Sequence, residues 1–184
     1  MYRGRNFFMP KDIRPTQNIA REALFNLLGH DLSGFSFLDL FAGSGSVGLE
    51  ALSRGASQVI FVEKEEKHSE IIEENVRRLR IDHTKREVNI EILCKDAFAA
   101  IKDLAARGRV FDIIFIDPPY ERELAKKTLK HLEAHVIVHP NSTVIFQHEK
   151  QEILPEIAGR FSLYRQKKYG QSYFSIYNIN KNTG

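Results

Sequence analysis

The chain has 184 residues, the size of one domain with a full core, and 42% hydrophobic and 28% charged residues put it among ordinary globular proteins. No apolar run nears the ~20 residues of a membrane span, and the basic N-terminus has no apolar stretch after it, so neither a span nor a signal peptide is expected. One cysteine, Cys94, excludes an internal disulfide and suits a reducing cytoplasm; in an apolar strand pattern it reads as a core thiol.

The net charge of +3 is unevenly divided. Residues 1–21 sum to +4, residues 160–184 to +5, and the body between them to −6. Basic ends on an acidic body suggest a polyanion held by the ends; solvated tails are the plainer alternative.

Residues 1–15 mix basic, aromatic and turn residues without helical period and read as an arm or hairpin, with residues 16–184 as a single domain. Arginines among aromatics suit RNA, since guanidinium both pairs with phosphate and stacks on bases. Arg14-Pro15-Thr16 stops the arm and offers Thr16 as an N-cap. In the helix that follows, Ile19, Ala23, Leu24, Leu27 and Leu28 line one face, and Gly29 ends it.

Strands are expected at Ser36–Phe41, Gln58–Val62, Asn89–Cys94, 111–116 and 142–148. Helices are expected after the first glycine loop to Arg54, over 65–81, 97–107 and 121–135, and near 151–158. The 65–81 helix would bury Ile71, Ile72, Val76 and Leu79 and expose the pairs Glu73/Arg77 and Glu74/Arg78. Two closing strands, 161–168 and 172–178, flank Gly170 as a hairpin, so one strand should be antiparallel. The alternation predicts a doubly wound α/β sheet with right-handed crossovers.

Four strand ends carry polar groups. Gly43-x-Gly45-x-x-Gly48 after a strand and before a helix is the dinucleotide fingerprint, and Glu63 follows at the spacing of a ribose-binding acid. Asp39 precedes the loop and Asp96 ends the third strand. So many carboxylates fit a nucleoside with a cationic tail better than a pyrophosphate. The fourth strand ends in Asp117-Pro118-Pro119-Tyr120. Two prolines stop a strand rigidly. Asp117 and the Pro118 carbonyl could take both hydrogens of an aromatic amino group, and Tyr120 could stack on its ring. A tight turn is the bland alternative. His131, His135 and His139 recur every four residues, but Pro140 breaks the run and no metal is expected there.

Asp39-Leu-Phe-Ala-Gly43-Ser-Gly45 resembles motif I of class I S-adenosylmethionine methyltransferases, and Asp117-Pro-Pro-Tyr120 resembles their amino-methylating motif IV. Arg14-Pro-Thr16, Arg21 to Asn26, Leu38 to Ala56 and Lys168-Tyr-Gly170 extend the likeness to the RsmD family, which methylates a guanine N2 amino group in 16S ribosomal RNA. That family begins with several more residues before its Tyr-Arg-Gly-Arg, so a first strand of the arm is expected to be missing.

The resemblance implies a Rossmann-like α/β class I methyltransferase fold: a mostly parallel seven-stranded sheet, helices on both faces, and an antiparallel strand near the C-terminal hairpin. It implies S-adenosylmethionine as cofactor, with S-adenosylhomocysteine as product. The cofactor would meet Asp39, Phe41, Ala42, Gly43, Ser44, Gly45, Glu63, Lys64, Asp96 and Ala97. Asp117, Pro118, Pro119 and Tyr120 would hold a flipped guanine. Arg3, Arg5, Arg14, Thr16, Arg21, Lys167 and Lys168 would hold RNA, either 16S ribosomal RNA or the small-subunit particle. A cytoplasmic monomer without metal or membrane contact is the expectation. Competing readings are an adenine-N6 or protein-amide methyltransferase, a non-catalytic RNA-binding protein, and a nicotinamide oxidoreductase.

Overall fold

A computed structural model describes residues 15–79, 88–119, 123–170 and 172–180, with residues 15–18 by backbone only. Among the described residues eight strands form one sheet in the order β3-β2-β1-β4-β5-β8-β7-β6. Strands β1 (Ser36–Asp39), β2 (Gln58–Glu63), β3 (Asn89–Cys94), β4 (Phe111–Ile116) and β5 (Val138–Glu149) run parallel. β8 (Ser172–Ile179) pairs antiparallel with β5 and with β7 (Phe161–Tyr169), and β6 (Ile157–Ala158) pairs antiparallel with β7. The sheet thus has one strand more than expected, the two-residue β6.

The central strands read as continuous apolar runs because both faces are covered. Leu24 and Phe25 of α1 (Pro15–Leu28), Leu49 and Leu52 of α2 (Ser46–Ser53), and Ile72 and Leu79 on and just after α3 (Glu66–Arg78) pack with Phe37, Phe61 and Phe115 on one face. Ala100, Ile101 and Leu104 of α4 (Ala97–Ala106) and Leu129 and Leu132 of α5 (Leu124–Ala134) pack with Leu38, Ile60, Ile114 and Phe146 on the other. Successive residues of one strand therefore belong to opposite cores.

Several local expectations are corrected. α1 begins at Pro15, which moves Thr16 from a cap position into the first turn; proline suits that start because its missing N–H would have had no helical partner. Ile19 is 60% exposed, and Ala20 takes its place in the core beside Ala23, Leu24 and Phe25. No helix forms near 151–158: Pro155 cannot continue one, its carbonyl accepts from the Tyr177 hydroxyl (2.6 Å), and the chain enters β6 instead. β1 ends at Asp39, before the predicted Phe41. β5 begins at Val138, ahead of the predicted 142, with Pro140 accommodated where the β4 register jumps from Phe111↔Val138 to Ile113↔Thr143. Cys94 is exposed, not a core thiol, because β3 is the edge strand of the sheet.

Other local readings hold. Gly29 (φ 97°) ends α1, and Ile72 and Leu79 are buried while Ile71 and Val76 are half-buried. The pairs Arg77–Glu73 (3.1 Å) and Arg78–Glu74 (2.8 Å) lie on the exposed face of α3. No helix among the described residues is long and apolar enough to cross a membrane.

Candidate active site

β1 leads to β2 on one side and β4 to β5 on the other, so the sheet reverses its winding between β1 and β4. Ligands of such sheets bind beyond the carboxyl ends at this point. A cavity of about 680 Å³ opens there. It brings together Asp39, Phe41, Ala42, Gly43 and Ser44 after β1, Glu63 and Lys64 after β2, Asp96 and Ala97 after β3, and Asp117 and Pro119 after β4.

The loop after β1 is shaped by two glycines with different duties. Gly45 adopts φ 79° where α2 begins, a left-handed conformation that favours glycine. Gly48 lies against Phe61: a Cβ there would sit 2.3 Å from the ring. Gly48 N–H donates to Asp39 Oδ2 (2.9 Å), which ties the first turn of α2 to the end of β1. Gly43 N–H donates to Glu63 Oε2 (2.7 Å), and Glu65 N–H donates to Glu63 Oε1 (2.9 Å). Glu63 is thereby fixed, and each oxygen keeps a lone pair for a ligand. Asp96 caps α4, its Oδ1 accepting from Phe98 N–H (2.9 Å) and Ala99 N–H (3.2 Å).

Three carboxylates, Asp39, Glu63 and Asp117, converge on the cavity, and the His68 imidazole lies 3.8 Å from Glu63. Asp39 is 2% exposed, and burial pushes its carboxyl up to about 7, aided by the charges of Asp117 and Glu63 and opposed by the Gly48 hydrogen bond. Burial likewise pushes Asp117 up to about 7. Two acids held near neutrality by desolvation favour a positively charged or hydrogen-donating ligand and disfavour an anionic one.

Other predicted site residues fall elsewhere. Pro118 is buried behind the turn, and Gly45 shapes the loop without lining the cavity. Arg21 of α1 borders the cavity. Lys167 and Lys168 lie outside it, but the register places Lys167 opposite Phe174 and Phe174 opposite Gln147, so Lys167 stands two strands, about 10 Å, from the cavity wall. Tyr120, Arg3, Arg5 and Arg14, with the side chain of Thr16, lie outside the described residues. The histidine trio does not converge: His131 stacks on Phe98 (4.3 Å between centroids) and His135 (6.1 Å), while His139 meets Asp112 (3.0 Å). Among the described residues no group of three or more His, Cys, Asp or Glu is placed to hold a metal.

Sequence reasoning missed Lys95, Phe98, Lys127 and Gln147 in the cavity wall. Gln147 had a signal, as the first polar residue after the apolar run Val144-Ile145-Phe146.

Comparison with known proteins places these features in context. The family model described as Conserved hypothetical protein 95 matches residues 1–178. Ribosomal RNA small subunit methyltransferase D of Escherichia coli K12 is 33% identical over 96% of this chain and 85% of its own. The protein of the same name from Buchnera aphidicola of Acyrthosiphon pisum is 35% identical over 90% of this chain and 82% of its own. A solved structure of a conserved hypothetical protein from Streptococcus pyogenes superposes with a TM-score of 0.76 at 32% identity, covering 89% of this chain and 97% of that one.

Proposed function

The chain belongs to the ribosomal RNA small subunit methyltransferase D family, and on that premise we propose that it transfers a methyl group from S-adenosylmethionine to the exocyclic N2 amino group of a guanine in 16S ribosomal RNA. The observation that carries this reading is the shared cavity. Asp117 and Pro119 of the turn and the acid-lined glycine loop line the same space.

The donor set fits the cofactor. Asp39 and Asp117, both raised to about 7, would be relieved by a nearby cation, whereas a pyrophosphate would face three carboxylates. Glu63, held by the Gly43 and Glu65 amides, would accept from ribose hydroxyls. Asp96, oriented by its capping bonds, would accept from the adenine amino group. When bound, S-adenosylmethionine supplies an electrophilic methyl group.

The remaining work belongs to the protein. Asp117 and the Pro118 carbonyl would take the two amino hydrogens, which frees the nitrogen lone pair from the ring. The two prolines keep this pair of acceptors stiff, so orientation is prepaid. A carboxylate with a pKa near 7 is also matched to carry off the proton that the methylated amine sheds. Arg21 at the rim and Lys167 on the same level of the sheet, with Lys168 beside it, would meet phosphates. Base flipping would bring the guanine to the turn.

The test is methyl transfer from labelled cofactor to small-subunit particles from cells lacking this enzyme, with wild type and Asp117→Ala compared by nucleoside analysis. N2-methylguanosine from wild type alone supports the reaction and the site. Label in N6-methyladenosine keeps the site and changes the base. Absence of transfer to any RNA defeats the proposal.

A further inference from the structure

Gln147 stands beside Asp117 and has no part in the chemistry assigned above. The β4–β5 register pairs Phe115 with Ile145 and Ile116 with Phe146, so the next row sets Gln147 next to Asp117. Side chains alternate along strands. Phe115 and Ile145 face the core beneath α1, α2 and α3, and Asp117 and Gln147, two residues further on, point to the same side. Asp39 shares that side, being two residues after Phe37. The ends of β4 and β5 therefore present Asp117 and Gln147 side by side on one cavity wall, with Asp39 on the same face one row back, beside Phe115.

The Gln147 side chain is built in rather than draped over a surface. It is 9% exposed and lines the cavity. Among the described residues its carboxamide has no hydrogen-bond partner. Packing alone does not ask for an amide there, since its antiparallel partner Phe174 is fully buried and the preceding three residues are apolar. A carboxamide that lines the cavity without a partner among the described residues is free to pair with a ligand there.

We propose that Gln147 is a specificity-determining residue that reads the edge of the base whose amino group Asp117 holds, an inference that rests on the methyltransferase reading. A carboxamide carries an acceptor and donors side by side. Guanine presents beside its N2 amino group the N1–H donor and then the O6 acceptor. With Asp117 and Pro118 on the amino hydrogens, the Gln147 oxygen accepts from N1–H and its NH2 group donates to O6. A base pair of such bonds discriminates by roughly ten- to hundredfold.

The experiment uses wild type, Gln147→Leu and Gln147→Glu, with particles from cells lacking this enzyme as substrate. Cofactor affinity by calorimetry and thermal unfolding are measured on each protein. Gln147→Leu should keep its cofactor Kd within about twofold and melt no lower than wild type, yet lose about ten- to hundredfold in kcat/KM for particles. Gln147→Glu retains an acceptor for N1–H and should keep more activity than the leucine variant. Transfer by Gln147→Leu at the wild-type kcat/KM overturns the inference and leaves the reaction standing. A parallel loss of cofactor affinity overturns it too, by moving Gln147 to the cofactor. A glutamate variant no better than leucine removes the hydrogen-bond reading. If wild type methylates no RNA, the methyltransferase reading fails and this inference with it.

Discussion

Replacing Asp39 by asparagine separates what a buried carboxylate does for binding from what it does to the fold. Burial at 2% exposure moves its carboxyl from the ordinary 3.8 to about 7. The folded protein therefore holds a proton across that window that the unfolded chain has released. The contribution of Asp39 to stability must fall as pH rises from about 4 to 7 and level off above. The full interval is an upper bound on the order of 4 kcal/mol, at about 1.4 kcal/mol per unit. Asparagine does not titrate, and its carbonyl can still accept from the Gly48 amide now bonded to Asp39. Urea unfolding of both proteins at pH 5 and pH 8 reads the effect of Asp39 with its coupling to Asp117 and Glu63, because the groups that do not interact with Asp39 cancel in the difference. The stability advantage of Asp39→Asn should widen by about 3 kcal/mol between those pH values while cofactor binding is lost. An advantage that does not change with pH, or a variant less stable at pH 8, would refute the assignment of Asp39 as a proton-holding group in the free protein.

The same raised groups make cofactor binding pH-dependent: affinity should rise between pH 6 and 8, with proton release seen as a buffer-dependent calorimetric heat, because a cation favours the ionised acids. Gly48→Ala should destabilise by about 1–3 kcal/mol in denaturant, since a Cβ 2.3 Å from the buried Phe61 ring overrides the roughly 1 kcal/mol that alanine gains in a helix. Asp112→Ala should cost about 1–3 kcal/mol by the same measurement, as Asp112 accepts from Ser36 N–H (2.7 Å) and Oγ–H (2.6 Å) and also meets His139. Arg107→Ala should leave the urea midpoint almost unchanged, because its paired bonds to Glu91 (2.8 and 2.9 Å) are exposed to water.

The sequence by itself determined the parts whose causes are local. Alternating apolar runs and glycines set the strand–helix order. Two prolines forced β4 to stop at Asp117. The spacing from Gly43 to Gly48 marked the glycine loop between β1 and α2, and i,i+4 charges marked the wet face of α3. Each signal is a property of a few consecutive residues, so it survives without knowing the rest of the fold.

Only the tertiary structure decided what depends on neighbours distant in the chain. Ile19 looked like a core residue by helical period, but the face of α1 turned to the sheet is set by packing, and Ala20 won the place. Cys94 looked buried by strand pattern, yet β3 forms the sheet edge. The near-neutral pKa of Asp39 arises from its burial near Asp117 and Glu63 on adjacent strands. Gln147 reached the cavity wall only when β5 came to lie beside β4. Local sequence names the groups; the strand order brings them to one wall, and desolvation there sets their charge.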